Sequence, residues 1–402
     1  MRQNSNDLII DIAIIGGGLA GLSLAAELAA PEFAHLKIAI IEPRSEYKRD
    51  KTWSYWRQAP HAFSAQETAV WHAWQVKNTQ KTVTVESINA ENYVYASIAS
   101  DDFYAAAQAK IKACPHISLL LGVSVENINN DQQQAFITLS NGNTLGVKQT
   151  IFDSRPPEKN TSPHLTQHFY GLHLKAQLPI FDANSVQLMD FSNSLHGIHF
   201  IYVLPYSATE ALVETTWFCQ HSQHDDYTEE LNQAIAQRWP NTKFDIAYSE
   251  KGSLPLVSFK AHAQKPHTYW PAGQQKSLVP IIPTIIPIGT RAGTARAATG
   301  YAFIETLQDS ARLANLIKKN QMLTSFKRNK IDAWMDRMFL SFLSSQPTMA
   351  PQYFVALFAN CQPASLVRFL SGSANWRDKL RVMLAMPAKP MLKHLLTTCI
   401  KH

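Results

Sequence analysis

Residues 9–30 read IIDIAIIGGGLAGLSLAAELAA. A β-branched apolar run ends at Gly16-Gly17-Gly18, Gly21 follows, and an alanine- and leucine-rich helical pattern takes over. The order predicts a strand, a tight turn and a helix with the spacing Gly16-x-Gly18-x-x-Gly21. Glycine lets the backbone turn sharply and approach a pyrophosphate, and the helix N-terminus then offers unpaired N–H groups to the phosphates. A second apolar run, residues 37–41, ends in Glu42, about twenty residues past the last glycine, where a carboxylate accepts hydrogen bonds from a ribose. Residues 8–30 also imitate a signal peptide or a membrane span. Asp11, Glu27, a central glycine triplet and a basic flank of one residue, Arg2, argue against both. A glycine turn without a ligand is the other plain reading, and Glu42 weighs against it.

A chain of 402 residues implies two or three domains. Charged residues make up 17% and hydrophobic ones 46%, a low charge content for an enzyme in solution. Cys114, Cys219, Cys361 and Cys399 are far apart with no metal-ligand spacing, so they read as free thiols in a reducing compartment, and no metal site is expected. The net charge of +6 is uneven: residues 321–402 hold eleven Lys or Arg and three Asp, so the tail is +8 and the rest −2. The tail also carries apolar runs at 334–340, 353–358 and 382–384. Basic amphipathic helices suit an anionic membrane surface; a helical cap with a solvated basic face is the plainer alternative. No nucleic-acid motif is present, and the aromatics sit in apolar runs rather than among the basic residues.

Along the chain, residues 51–100 read as short strands rich in Trp and Tyr, 101–112 as a helix and 117–125 as a strand. Asn141-Gly142 marks a hairpin between 136–139 and 145–147. Strands are expected at 198–204 and 212–218, with a turn at 205–208 between them, and a helix at 228–238. A proline-punctuated run at 280–289 leads into Arg291-Ala292-Gly293, and Ala298-Thr299-Gly300-Tyr301 opens a helix through Leu313. The fold class is α/β: a Rossmann-like FAD-binding domain with an inserted β-sheet substrate domain and a helical C-terminal region. The expected segments are 1–160 for the first FAD-binding part (with a β-rich excursion near 55–100), 161–274 for the substrate domain, 275–320 for the FAD-binding return and 321–402 for the basic helical region. The N-terminus of the late helix is expected to point at the flavin ring.

Seven segments together resemble the bacterial lycopene β-cyclases: the glycine motif, Asp50-Lys51-Thr52-Trp53-Ser54-Tyr55, Phe152-Asp153-Ser154-Arg155-Pro156, Gln167-His168-Phe169-Tyr170-Gly171, residues 200–205 followed by 211–216, Gly289-Thr290-Arg291-Ala292-Gly293, and Ala298-Thr299-Gly300-Tyr301. The resemblance runs from residue 10 to about 310. It implies an isomerase, an intramolecular lyase that closes the acyclic ends of lycopene into β-ionone rings, through γ-carotene to β-carotene. It also implies FAD kept reduced by NAD(P)H with no net redox change, a membrane-dissolved carotenoid substrate, and a peripheral position on the cytoplasmic side of the membrane, with other carotenoid enzymes as candidate partners.

Ring closure needs a proton donor, shelter for a tertiary cation and a proton acceptor. Glu214 is the candidate acid, at the position of the family's Leu/Val-Glu-x-Thr segment. The alternation puts Leu212, Glu214, Thr216 and Phe218 on one strand face and Val213, Thr215 and Trp217 on the other. Apolar neighbours disfavour the charged carboxylate and raise its pKa, as a donor near neutral pH requires. Trp53, Tyr55, Phe169, Tyr170 and Trp217 are candidates for stabilising the cation through their ring faces. Gly16, Gly18, Gly21, Glu42, Asp153, Gly289, Gly293, Thr299 and Gly300 are the expected cofactor-binding residues. Asp153 and Arg155 either touch the cofactor or pair with each other at a strand end, and His168 and His199 read as structural. Two departures stand out: Gly289-Thr290 lacks the Gly-Asp of many FAD hydroxylases, and Thr294-Ala295-Arg296-Ala297 lacks the His-Pro of many bacterial cyclases. The alternatives are an FAD-dependent monooxygenase, a reductase of isoprenoid double bonds, or a non-catalytic, membrane-associated carotenoid-binding flavoprotein.

Overall fold

A computed structural model describes residues 8–130, 135–156, 164–192, 197–220, 227–257 and 284–386. Cys399, the junctions expected at 160/161 and 274/275, and the start of the 280–289 run lie outside the described residues.

The apolar run at the start forms strand β1 (Leu8–Ile15), followed by helix α1 (Leu19–Glu27) and strand β2 (Ile38–Glu42). The Trp- and Tyr-rich stretch supplies β3 (Thr52–Arg57), β4 (Ala69–Trp71), β5 (Ala73–Lys77), β6 (Thr82–Glu86) and β7 (Val94–Ala99). Helix α2 (Ser100–Lys112) has two acids in its first turn and two lysines in its last, matching the helix dipole. Next come β8 (Ile117–Leu121), β9 (Val125–Asn130), β10 (Ala135–Leu139) and β11 (Thr144–Asp153). The single strand expected at 117–125 is therefore two: the chain breaks at Gly122, whose φ of +71° no strand accepts. The Asn-Gly turn stands as expected, with Gly142 at φ +82° between β10 and β11.

The middle of the chain forms β12 (Thr166–Ala176), β13 (Ser185–Asp190), β14 (Ile198–Pro205), β15 (Glu210–Cys219), α3 (Thr228–Arg238) and β16 (Phe244–Pro255). The chain then returns through β17 (Thr284–Pro287) and α4 (Phe303–Lys318) and ends in α5 (Lys330–Ser345), α6 (Ala350–Asn360), α7 (Pro363–Leu370) and α8 (Trp376–Ala385).

Among the described residues, the first sheet runs β8-β2-β1-β11-β10-β9, with β17 parallel to the far half of β11. Strands β1, β2, β8 and β11 pair in parallel, and α1, α2 and α4 pack their apolar faces on the sheet. The second sheet runs β16-β12-β15-β14-β13-β5-β6. Its last two strands come from residues 73–86, so part of the β-rich excursion belongs to the inserted sheet. One face of this sheet packs on α3 through Leu172, Ile201, Val213, Leu231 and Ile235. The other face, with Phe200, Leu212 and Phe218, shares one core with α5 to α8. The C-terminal helices are thus packed elements, not a loose tail. Asn375 and Asp378 form a capping box at the start of α8, and Asp378 also receives the Arg368 guanidinium at 2.8 Å, tying α8 to α7. No helix of the described residues is long and apolar enough to cross a membrane.

Candidate active site

The turn from β1 to α1 opens on a cavity of about 1100 Å³, above the usual range of roughly 300–1,000 Å³ for ligand pockets. Gly16 has φ +93°, a left-handed conformation that glycine adopts without strain. A Cβ on Gly18 would meet nothing within 4 Å, because that side faces the cavity. A Cβ on Gly21 would lie 1.9 Å from the Gly16 carbonyl oxygen, so α1 can approach the turn only with glycine there. Helix α1 starts with no side-chain cap and no acid in its first turn, leaving its N–H groups and positive dipole end for an anion.

Glu42 ends β2 and lines the same cavity. Its carboxylate accepts the N–H of Gly17 at 2.6 Å and the Arg44 guanidinium at 2.8 Å. Burial raises its pKa, but these bonds outweigh that and hold the carboxyl below its ordinary value. The Arg44 side chain that covers Glu42 is itself 33% exposed and lines the cavity. Across the cavity, Gly289 and Gly300, at φ +61° and +73°, line the wall with Thr299. A glycine cradle, an uncapped helix start and a carboxylate at the ribose position fit a dinucleotide such as FAD.

Three expected cofactor residues stand off the cavity wall: Gly21, which packs α1 against the turn, Asp153 and Gly293. Asp153 does not reach the cavity wall: Arg155 donates to its carboxylate at 2.8 and 3.0 Å, and Arg291 lies at 3.4 Å. In this structure its carboxylate is held in a strand-end ion pair. Gly293, at φ +87°, turns the chain after residues 289–292 and also lies off the wall.

From the nucleotide end the cavity continues to the inner face of the second sheet. Four neighbouring strands there present one cross-strand row, Tyr202 (β14), Glu214 (β15), Gly171 (β12) and Glu250 (β16). Gly171 has no side chain to separate the two acids: a Cβ there would come 2.7 Å from Glu214 Cγ and 3.0 Å from its Oε1. The two carboxyls hydrogen-bond above it. Both line the cavity, at 8% and 5% exposure. Burial, and then the charge and hydrogen bond of Glu250, push Glu214 well above the usual carboxyl range. Burial raises Glu250 as well, but its Oε2 accepts the Thr52 hydroxyl at 2.9 Å, and the charge of Arg49 also favours its ionised form. Both carboxyls are thus raised, Glu214 the more strongly, so the pair favours holding a proton with Glu214 as its stronger keeper.

Hydroxyls flank this pair. Tyr95 bonds Tyr202 at 2.9 Å and Tyr301 at 3.3 Å, joining the row to the turn before α4. Beyond it the wall becomes apolar, with Phe200, Phe218, Phe339, Phe354, Leu357 and Met386.

Of the aromatics expected at the site, Trp53 and Phe169 line the cavity. The other three do not. Tyr55 is buried, stacked on Phe303 at 4.5 Å, with its hydroxyl on Glu67. Tyr170 and Trp217 lie on the opposite face of the sheet from Glu214, because they differ from Phe169 and Glu214 by an odd number of strand positions. Trp217 donates to Glu230 at 3.0 Å on that outer face. His199 is there too, stacked on Trp217 at 4.3 Å and bonded to Thr215 at 2.9 Å, a structural role. His168 bonds Ser253 at 2.8 Å.

Sequence reading missed Glu250, Thr52, Arg49 and the tyrosine hydroxyls. Strand β16 is mostly polar and half-exposed, so nothing in its pattern separates Glu250 from Asp245 or Lys251. The unusual Arg296 in the 294–297 segment forms a fully buried ion pair with Asp336 of α5 at 2.9 Å, and its guanidinium lies 4.1 Å from the Phe369 ring centre.

A family model described as lycopene cyclase protein matches residues 11–396. The lycopene beta-cyclase of Pantoea ananas is 24% identical over 412 aligned positions, covering 98% of each chain. That of Pseudescherichia vulneris is 25% identical, covering 95% of each. Among solved structures, a flavoprotein/dehydrogenase from Cytophaga hutchinsonii superposes with a TM-score of 0.61 at 12% identity, over 97% of this chain and 99% of that one. The shared architecture is that of Rossmann-type flavoproteins.

Proposed function

This chain belongs to the lycopene cyclase family, and on that premise we propose that it closes the acyclic ends of lycopene into β-ionone rings by proton addition and loss, with no net redox change. It is an isomerase-class enzyme, an intramolecular lyase. The observation that carries the mechanism is Glu214: a buried carboxyl, held well above its usual range, in the wall of a cavity that also receives the glycine turn.

Glu214 donates its proton to the terminal double bond, leaving a tertiary cation. The neighbouring double bond attacks that cation and forms the ring, and loss of a ring proton completes the β end. Bound FAD, kept reduced by NAD(P)H, supplies negative charge near the cation when present. The chain's own part is to hold the proton, exclude water and face the cation with rings. Trp53 and Phe169 each offer about 0.5–2 kcal/mol as cation–π partners. The apolar end of the cavity suits a long polyene.

The test is expression in a lycopene-accumulating cell with pigment read by chromatography. Cyclic carotenoid should replace lycopene, and with purified protein NAD(P)H should not be consumed in proportion to product. Unchanged lycopene beside folded, flavin-loaded protein would overturn the reading. Stoichiometric NAD(P)H consumption would instead indicate a monooxygenase or a reductase.

We also propose that the apolar end of the cavity meets an anionic membrane, at the cytoplasmic face. Trp376, Leu380 and Leu384 of α8 are 68%, 47% and 76% exposed, and the exposed Trp334 and Met383 line the cavity as well. Lys327, Lys330, Arg337, Arg377 and Arg381 are exposed in the same helical region. Aromatic and aliphatic groups rimmed by basic ones suit a peripheral contact. Changing Leu380 and Leu384 to Glu should cut binding to anionic vesicles about tenfold or more and slow turnover of vesicle-dissolved lycopene. Turnover of detergent-dispersed lycopene should stay within about twofold. Unchanged vesicle binding would exclude this face.

A further inference from the structure

The row Tyr202-Glu214-Gly171-Glu250 holds two buried carboxyls, and the reaction just proposed assigns a task to one. We infer that Glu250 is a positioning residue for the acid: one proton is held between the two carboxyls, passed by Glu214 to the substrate and recovered by the same pair after ring closure. This rests on the reading of Glu214 as the acid.

The geometry supports the pairing from three sides. Gly171 leaves the space in which the carboxyls meet, since a Cβ there would come 2.7 Å from Glu214 Cγ. Thr52 donates to Glu250 at 2.9 Å and so holds the outer carboxylate in place. Both acids line the cavity, so no further group has to carry the proton between them and the substrate.

The step balances. The π electrons of the terminal double bond take the Glu214 proton and form a C–H bond, leaving a tertiary cation. The electrons of the neighbouring double bond form the ring C–C bond. The electrons of a ring C–H bond then form the ring double bond, and that proton returns to the carboxyl pair. Between donation and return, the pair carries two adjacent negative charges in a buried site. That state attracts the cation and is relieved by regaining one proton.

Other charged and titratable groups face the pair. Tyr202 flanks Glu214 within the row, and Tyr206 and His173 lie farther along the same sheet face. Tyr248 precedes Glu250 on its own strand with the Arg49 guanidinium over its ring, and Lys251 follows. Asp50 and Lys51, ion-paired at 3.3 Å, line the cavity beside Thr52, and Asp101 lies near Tyr248. Arg49 favours the ionised form of Glu250, which in turn keeps the proton on Glu214.

The experiment compares purified wild type, Glu250→Gln, Glu250→Asp, Gly171→Ala and Glu214→Gln for FAD content and for turnover of lycopene against pH. An acid must be protonated, so activity is lost as pH rises through its pKa. Removing the Glu250 charge should move that basic limb to lower pH by about one unit and reduce turnover at neutral pH about tenfold or more, with FAD retained. Glu250→Asp should restore the limb most of the way, and Gly171→Ala should shift it in the same direction as Glu250→Gln. If Glu250→Gln does not fold, the other two variants decide: an unmoved limb in Gly171→Ala overturns the pairing. A Glu250→Gln enzyme with the wild-type limb and turnover also overturns it. Should Glu214→Gln be inactive while Glu250→Gln is unaffected, this inference alone fails. Should Glu214→Gln turn over normally, the reading of the acid fails with it.

Discussion

Glu214→Gln should lose ring closure by about 10²- to 10⁴-fold while keeping bound FAD and the wild-type melting temperature within a few degrees. Glutamine matches the shape of the protonated acid and can still hydrogen-bond Glu250, so the row of side chains stays filled. It cannot donate a proton to an alkene. Wild-type activity should persist through neutral pH, because the Glu214 carboxyl sits well above its ordinary value through burial and the neighbouring Glu250 charge. Activity should fall as pH rises through that raised pKa, and it should not fall across the pH range where an ordinary carboxylate titrates. Pigment analysis after a timed assay, with flavin absorbance as the control, reads both. Turnover of Glu214→Gln near the wild-type rate would move the proton donor elsewhere in the cavity.

Gly21→Ala and Gly18→Ala should part company in stability. At Gly21 the added Cβ lies 1.9 Å from the Gly16 carbonyl oxygen and 3.2 Å from Ile14 Cγ2, so α1 itself must move. Overpacking of this kind costs about 1–3 kcal/mol, and here the obstacle is backbone, which yields less than a side chain. FAD occupancy should fall about tenfold or more, with a lowered melting temperature of the apoprotein. Gly18 has an ordinary φ of −81°, and its missing Cβ faces open space. Alanine there should leave the apoprotein's stability unchanged and still weaken FAD, because the methyl occupies the path of the pyrophosphate. Wild-type FAD retention in both variants, by flavin absorbance, would place the cofactor elsewhere.

The nucleotide half was legible because its signals are local. Strand, glycine turn, helix and terminal acid lie within residues 9–42, and each follows from backbone geometry that only certain residues permit. The inserted sheet was legible in part. Alternation in β15 put Glu214 on the same face as Thr216 and Phe218, and the structure agrees. The same alternation already placed Trp217 on the other face, so its candidacy conflicted with the pattern. Tyr170 fails in the same way beside Phe169. Glu250 was not legible at all, because its partner sits two strands away and 36 positions earlier in the chain, across a glycine whose importance is the side chain it lacks. Asp153 shows the reverse problem: a carboxylate at the end of a strand of the nucleotide half is held by Arg155 and Arg291, which only the three-dimensional neighbourhood reveals.

The buried pair of Arg296 and Asp336 has a consequence for modularity. Arg296 belongs to the return segment beside Gly300, and Asp336 to the first C-terminal helix. Separating these parts would leave a guanidinium and a carboxylate unpaired in an apolar wall, which costs about 3–5 kcal/mol when such a pair is broken. The helices after residue 320 therefore wall the apolar end of the cavity and are fastened to the half that carries the glycine turn. Evolution cannot trade them as an independent module. A chimera that borrows this region from a relative must borrow residue 296 with it, or inherit an orphaned charge at the seam.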